Sequence, residues 1–244
     1  MAAGWPAVGI WVEPATWTAA TAAEVKARTA DAGVVVLDVE VIWLKPGADD
    51  PDHFRIIDAG AAIGARNLLV VSSDPDHSAA AAKFARLADH AAAGGMRVSL
   101  EFAYFTEVHG IDAACAILDA TGRDDVGLLI DPLHLVRTGG TPEDVARVPR
   151  HRFVYAQFCD AAATGPGADD VPAIIHEALD LRLDVGGGEL PLAALLDALP
   201  DGLPLSIELR SKALRDGFPD PVERARALLA STRSGLARIE AAAR

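Results

Sequence analysis

Five apolar runs in this chain stop at an oxygen-bearing side chain. Leu128-Leu129-Ile130 stops at Asp131, with His134 three residues on and Gly139-Gly140 beyond; Val98-Ser99-Leu100 stops at Glu101; Phe153-Val154-Tyr155-Ala156 stops at Gln157, with Asp160 close behind; Leu205-Ser206-Ile207 stops at Glu208; and the run from Val34 to Val39 stops at Glu40. A buried strand that delivers a polar group at its C-terminal end is how a parallel α/β sheet presents a site. Glu101, Asp131, Gln157 and Glu208 make a hard, oxygen-rich set, suited to one divalent ion such as Mn²⁺, Mg²⁺ or Co²⁺ rather than to zinc held by thiolates or several imidazoles. Carboxylates brought close together repel one another and raise at least one pKa, and a bound cation is the simplest way to neutralise them.

Other side chains could act beside this set. His134, just past a strand end, can hydrogen-bond a substrate oxygen or shuttle a proton. Arg182, four residues before Gly186-Gly187-Gly188, offers a guanidinium to a carboxylate, enolate or phosphate, and the amides of the glycine turn can approach the same kind of group. Glu40 and Tyr104 are expected to contact substrate, with Trp11 and Trp43 lining the same mouth.

The elements that must position these residues alternate along the chain. Strands are expected at Ala7–Val12, Val34–Val39, Asn67–Val71, Arg97–Phe102, Val126–Ile130, Arg152–Phe158 and Leu203–Ile207. Helices are expected at Thr18–Ala30 with Thr21 as N-cap, Asp52–Gly64, Ser78–Ala93, Asp112–Ala120, Pro142–Val148 with Thr141 as cap, Pro191–Leu199 and Pro221–Arg238. Ala161 to Asp170 reads as a long active-site loop. Ile174 to Leu183 is ambiguous, with room for a short helix and a degenerate strand at Leu181–Leu183. Such alternation admits a closed barrel or an open doubly wound sheet. The open sheet would carry a GxGxxG turn after its first strand, and Trp11 to Thr18 has no glycine. Eight units in 244 residues therefore predict an α/β fold: one (β/α)8 TIM barrel over residues 1–244 with its seventh strand degenerate.

Composition narrows the function. A net charge of −13 gives no basic footprint for nucleic acid or an anionic membrane. Cys115 and Cys159 lack Cys-x-x-Cys spacing and read as reduced core thiols. The start has neither a basic n-region nor a continuous apolar stretch, which predicts a soluble, cytoplasmic protein.

These residues together resemble the xylose isomerase-like barrels, a family that includes sugar-phosphate isomerases and epimerases, inosose dehydratases, endonuclease-IV-type nucleases and 3-dehydroshikimate dehydratases. The resemblance covers nearly the whole chain and rests on Leu100-Glu101, Asp131-x-x-His134, the sixth-strand ligand before Asp160, Arg182 before the Gly186 turn, and Glu208. It implies that Glu101, Asp131, Gln157 and Glu208 hold the metal, Gln157 standing where the better-known epimerases have histidine. It further implies that Glu101 and Glu208 move protons on a small polyhydroxylated carbonyl substrate through an enediolate, helped by His134 and Arg182. The expected activity is that of a sugar or sugar-phosphate isomerase or epimerase. A dehydratase of the 3-dehydroshikimate or inosose type, a lyase, is the alternative, and a non-catalytic polyol-binding barrel the second. Such barrels often pair, so a homodimer is an assembly to expect, and the additional ligands of the nuclease branch are not found.

Overall fold

A computed structural model describes residues 3–242, which divide into two compact units. The first holds residues 6–129 and 151–154; the second holds residues 130–150 and those from 155 onward, together with residues 3–5.

In the first unit, β1 (Ala7–Trp11), α1 (Ala19–Ala32), β2 (Val35–Leu44), α2 (Pro51–Ile63), β3 (Asn67–Ser72), α3 (His77–Ala93), β4 (Arg97–Glu101), α4 (Gly110–Ala120) and β5 (Gly127–Leu129) alternate without interruption. The strands form one all-parallel sheet in sequence order. A parallel pair needs a crossover long enough for a helix, and each α element supplies one. Every residue of β3 is buried, which explains its unbroken Leu-Leu-Val-Val run: a sheet covered on both faces has no use for alternation. The helices turn small and aliphatic faces inward, with Ile56, Ile57 and Ile63 buried on α2 and Phe84 and Leu87 on α3. At Gly60 of α2 an added Cβ would lie 2.8 Å from Val39 and from Met96, so only glycine allows this helix its approach to β2.

The helix starts follow from side chains that accept orphan amides. Asp50 and Asp76 cap α2 and α3. Thr18, rather than the expected Thr21, caps α1 by accepting from the Thr21 amide. β2 also departs from expectation. It does not end near Glu40 but continues through Val41-Ile42-Trp43-Leu44, a further β-branched and aromatic stretch, so Glu40 is mid-strand, opposite Trp11.

The second unit contains α5 (Pro132–Arg137), α6 (Pro142–Arg147), β6 (Ala156–Phe158), α7 (Val171–Asp180), α8 (Leu192–Ala198), β7 (Leu205–Ile207), α9 (Lys212–Gly217) and α10 (Pro221–Ala242). β6 and β7 pair in parallel. Thr141 caps α6 in a full capping box with Asp144, as its spacing predicts. Two six-residue helices, α5 and α9, go beyond the expected elements. β6 is shorter than expected because Arg150–Arg152 forms a 3₁₀ turn. The degenerate seventh position makes no strand, and Leu181 and Leu183 form only single antiparallel bridges, to Ser211 and Asp160.

Candidate active site

Within the second unit Asp131, His134 and Glu208 gather around one guanidinium. Arg182 is 2% exposed, and its Nη1 donates to Asp131 Oδ2 at 2.5 Å and to Cys159 Sγ at 3.2 Å. Its Nη2 reaches Glu208 Oε2 at 3.0 Å and His134 Nε2 at 3.5 Å, while Nε donates to the Ala178 carbonyl at 3.0 Å. These contacts engage all five guanidinium donors with protein acceptors. Arg182 thus joins Asp131, His134 and Glu208 in one buried cluster.

Asp131 is placed by the short helix that follows it. Its Oδ1 accepts the amides of Leu133 and His134 at 2.7 and 3.1 Å, capping α5, and Pro132 at the first helical position needs no acceptor. The Asp-Pro-x-His spacing thus fixes both side chains at once. Burial alone would raise the Asp131 carboxyl, but Arg182 and the capping amides prevail and hold it below the usual carboxylate range. His134 responds in the other sense. Burial pushes its imidazole down to about 4, against the upward pull of Asp131. It is therefore neutral at pH 7, with Nε2 facing Arg182 as acceptor and the proton on Nδ1. Glu208, just past β7, accepts from Arg182 and, at Oε1, from Arg210 Nε at 3.1 Å.

Gln157 lies in β6 opposite Ser206, and its backbone N–H donates to the Ile130 carbonyl at 2.9 Å, which fastens it beside the strand end that carries Asp131. It is 2% exposed, and its Oε1 has no hydrogen-bond partner among the described residues. Buried carbonyl oxygens are rarely left so, because desolvation without a partner is costly.

Two amides of the glycine turn are engaged within the protein. The Gly188 amide donates to Asp160 Oδ2 at 2.9 Å and that of Gly187 to the Asp184 carbonyl at 2.7 Å. Asp160 also accepts the amides of Ala161 and Leu190, so its carboxylate ties the loop after β6 to the turn. Arg137 and Glu177, absent from the sequence-based site, add a second tie. They form a buried two-point ion pair at 2.8 and 3.0 Å, and Arg137 Nη2 also donates to the Ala162 carbonyl at 2.7 Å. The only sequence signal for Arg137 is its place one helical turn after His134.

The first unit carries the other expected residues. Glu101 is the last residue of β4 and is 5% exposed. Tyr104 follows in the turn after β4, its ring 5.7 Å from that of Phe105, which in turn lies 6.0 Å from Trp43. Trp11 ends β1 and is exposed.

The chain matches the family described as xylose isomerase-like TIM barrel over residues 2–234. It belongs to that family. Its strands and helices are those of a xylose isomerase-like TIM barrel, and solved structures agree at the level of fold. The IOLI protein with a bound zinc atom superposes with a TM-score of 0.75 at 16% identity, covering 97% of this chain and 88% of that one. An L-ribulose 3-epimerase gives 0.72 at 18% identity over 99% and 87%. A probable 3-DHS dehydratase of Bacillus anthracis gives 0.71 at 10% identity over 92% and 87%. A xylose isomerase-like TIM barrel/4-hydroxyphenylpyruvate dioxygenase fusion protein gives 0.78 at 21% identity; the match covers 94% of this chain and 38% of that longer one. No curated protein sequence matches the chain. No helix among the described residues of this family member is long and apolar enough to cross a membrane.

Proposed function

We propose that this xylose isomerase-like protein is a divalent-metal-dependent isomerase or epimerase of a small polyhydroxylated carbonyl compound. The observation that carries the reading is the buried, unpartnered Oε1 of Gln157. In the same unit, Asp131 has one of about four carboxylate acceptor sites left after its contacts with Leu133, His134 and Arg182, and Glu208 has about two. Hard oxygen donors with unused lone pairs fit Mn²⁺, Mg²⁺ or Co²⁺. Glu101, the last residue of β4, completes the set in this reading. Arg182 already neutralises part of the charge on Asp131 and Glu208, so electrostatic repulsion is a weaker reason for an ion than the sequence implies, and the amide oxygen a stronger one.

When bound, the ion supplies Lewis-acid polarisation of the substrate carbonyl. The protein's own groups do the rest. Glu101 removes a proton α to the carbonyl, and Glu208 returns one at the adjacent carbon or on the other face. Arg182 holds the Glu208 carboxyl in place at 3.0 Å, acting as a positioning residue. Neutral His134 donates from Nδ1 to a substrate oxygen as negative charge develops on it.

A dehydratase is the second reading, and Gln157 in place of histidine is the observation that favours it. There, after proton removal by Glu101, the C–O bond of a β-hydroxyl breaks and the departing oxygen takes up the proton that Glu101 removed, so that water leaves, while His134 hydrogen-bonds to a substrate oxygen.

Metal content and deuterium exchange test the proposal together. The purified protein should hold close to one equivalent of Mn²⁺, Mg²⁺ or Co²⁺, and Gln157→Ala should lower that occupancy at least tenfold at limiting metal. In D₂O the wild type should introduce deuterium α to the carbonyl of a ketose or inosose with its hydroxyls intact. Loss of water from 3-dehydroshikimate or an inosose would select the dehydratase. A protein that binds no metal even when Mn²⁺ is supplied would overturn both readings.

A further inference from the structure

The first unit contains a cavity of about 380 Å³ over the end of β2 and the start of α2, and none of the residues discussed as catalytic lines it. Val41, Trp43 and Ile56 form its apolar wall, and Lys45, His53 and Lys83 its polar groups. This volume falls in the range of small-molecule sites.

Three aspartates also border the cavity, but each is engaged elsewhere. Asp49 makes a two-point pair with Arg86 at 2.6 and 2.7 Å, Asp50 caps α2, and Asp52 pairs with Arg55 at 2.7 Å. They are not a vacant cation site. Lys83 differs. It is 7% exposed, and its Nζ donates to Asp74 Oδ2 at 2.8 Å and to the Lys45 carbonyl at 2.5 Å. An ammonium has three donors, so one remains for an acceptor inside the cavity. Because Asp74 already balances its charge, a hydroxyl answers that donor without adding a buried anion.

The indole of Trp43 is held by its Nε1–H bond to Ser73 Oγ at 2.8 Å and remains 37% exposed. Among the described residues, the cation over its face is the exposed Lys45, at 6.0 Å, the limit of such a contact and readily displaced. Burial lowers the His53 imidazole against the raising effect of Asp50, Asp49 and Asp52, which leaves it able to donate or accept a hydrogen bond near neutral pH. A fixed aromatic face beside neutral or charge-balanced hydrogen-bonding groups suits a ring with C–H bonds on one side and hydroxyls at its edge.

We infer that this cavity is a binding subsite for a neutral polyhydroxylated ring, stacked on Trp43 with hydroxyls on Lys83 and His53. Trp43 shares a register row with Val71 and Glu101 across β2, β3 and β4, which sets it about 10 Å from Glu101 at the usual strand spacing. If Glu101 acts as proposed above, the substrate has two linked units, one reacting and one held at this subsite. That consequence rests on the proposed function, whereas the subsite itself does not.

The test is titration of ¹⁵N-labelled full-length protein with methyl α-D-glucopyranoside, before and after stripping by chelator. The Trp43 indole signal is assigned with Trp43→Phe. The expected result is a saturable shift of the Trp43 indole and His53 ring signals at millimolar probe, equal with and without metal. Affinity should fall on the order of tenfold in Trp43→Ala and severalfold in His53→Ala. No shift of Trp43 at tens of millimolar probe in the folded protein overturns the subsite. So does binding that Trp43→Ala leaves intact, or tighter binding of glucose 6-phosphate than of the neutral ring. Loss of metal-dependent exchange with this titration unchanged would count against the proposed function alone.

Discussion

The buried Arg182 guanidinium joins Asp131, His134 and Glu208, and its removal should be costly. Arg182→Ala leaves Asp131, which is fully buried, without its cation. The expected loss is about 3–5 kcal/mol in urea unfolding. Arg182→Lys should recover less than half of it, because one ammonium cannot span Asp131, Glu208 and the Ala178 carbonyl in the same geometry. A loss below about 1 kcal/mol for the alanine variant would mean that the hub contributes little to the native state. The titration of His134 gives a second expectation. Its unfolded-state value is near 6.5 and its folded value about 4, so between these pH values the unfolded chain binds the proton and the folded chain does not. Stability is therefore present above about pH 6.5 and falls as the pH drops toward 4, by on the order of 3 kcal/mol from this group. Asp131, also lowered, prolongs the loss below that window. Urea midpoints at pH 7, 5.5 and 4.5 should show the fall, and His134→Gln should flatten it; an unchanged slope in that variant would assign the acid sensitivity elsewhere.

The elements were legible where a side chain announces its own local structure. Thr141 begins α6, as its capping spacing predicts, and the strands of the first unit are the apolar runs seen in the sequence. What was not legible depends on partners far along the chain. α5 starts with the Asp131-Pro132 pair, a readable helix start, yet it has only six residues and offers almost no periodicity. Glu40 reads as a strand end because an acid follows a valine run, but Val41 to Leu44 continue the pairing with β3. Glu101 closing β4 and Glu208 directly following β7 are placed as the sequence implies; the hub role of Arg182, whose carboxylate and thiol partners lie 23–51 residues away, is not. Arg137 and Glu177 show the same limit. Glu177→Ala should cost about 3–5 kcal/mol by stranding a buried cation, and Ala161 to Asp170 should become the first segment cut in limited proteolysis. Cleavage starting elsewhere at wild-type rate would remove the loop-holding role assigned to this pair.

At the scale of the molecule, the boundary between the two units is crossed more than once by the chain. The first unit is completed by residues 151–154, and these are well secured. Arg152 donates to the Arg123 carbonyl and to Asp119, both at 2.9 Å, Arg97 donates to the His151 carbonyl at 3.2 Å, and Phe153 is buried. A polypeptide ending at residue 129 should therefore be cleaved by protease at least tenfold faster than the same segment in the intact protein. Supplying a peptide of residues 147–158 in trans should slow that cleavage; if the short fragment is already as resistant as the intact protein, residues 151–154 are not needed to close it.

The same return of the chain has a consequence during synthesis. At about 5–20 residues per second, the ribosome takes roughly 1–5 s to go from Leu129 to Val154. Through that interval β5, already made, waits for the residues that cover it: Gly127 lies against Val154 and the Arg152 carbonyl. Until those residues arrive, the face of β5 at Gly127 lacks its cover for seconds, the interval in which a chaperone that binds transiently exposed apolar surface has its opportunity.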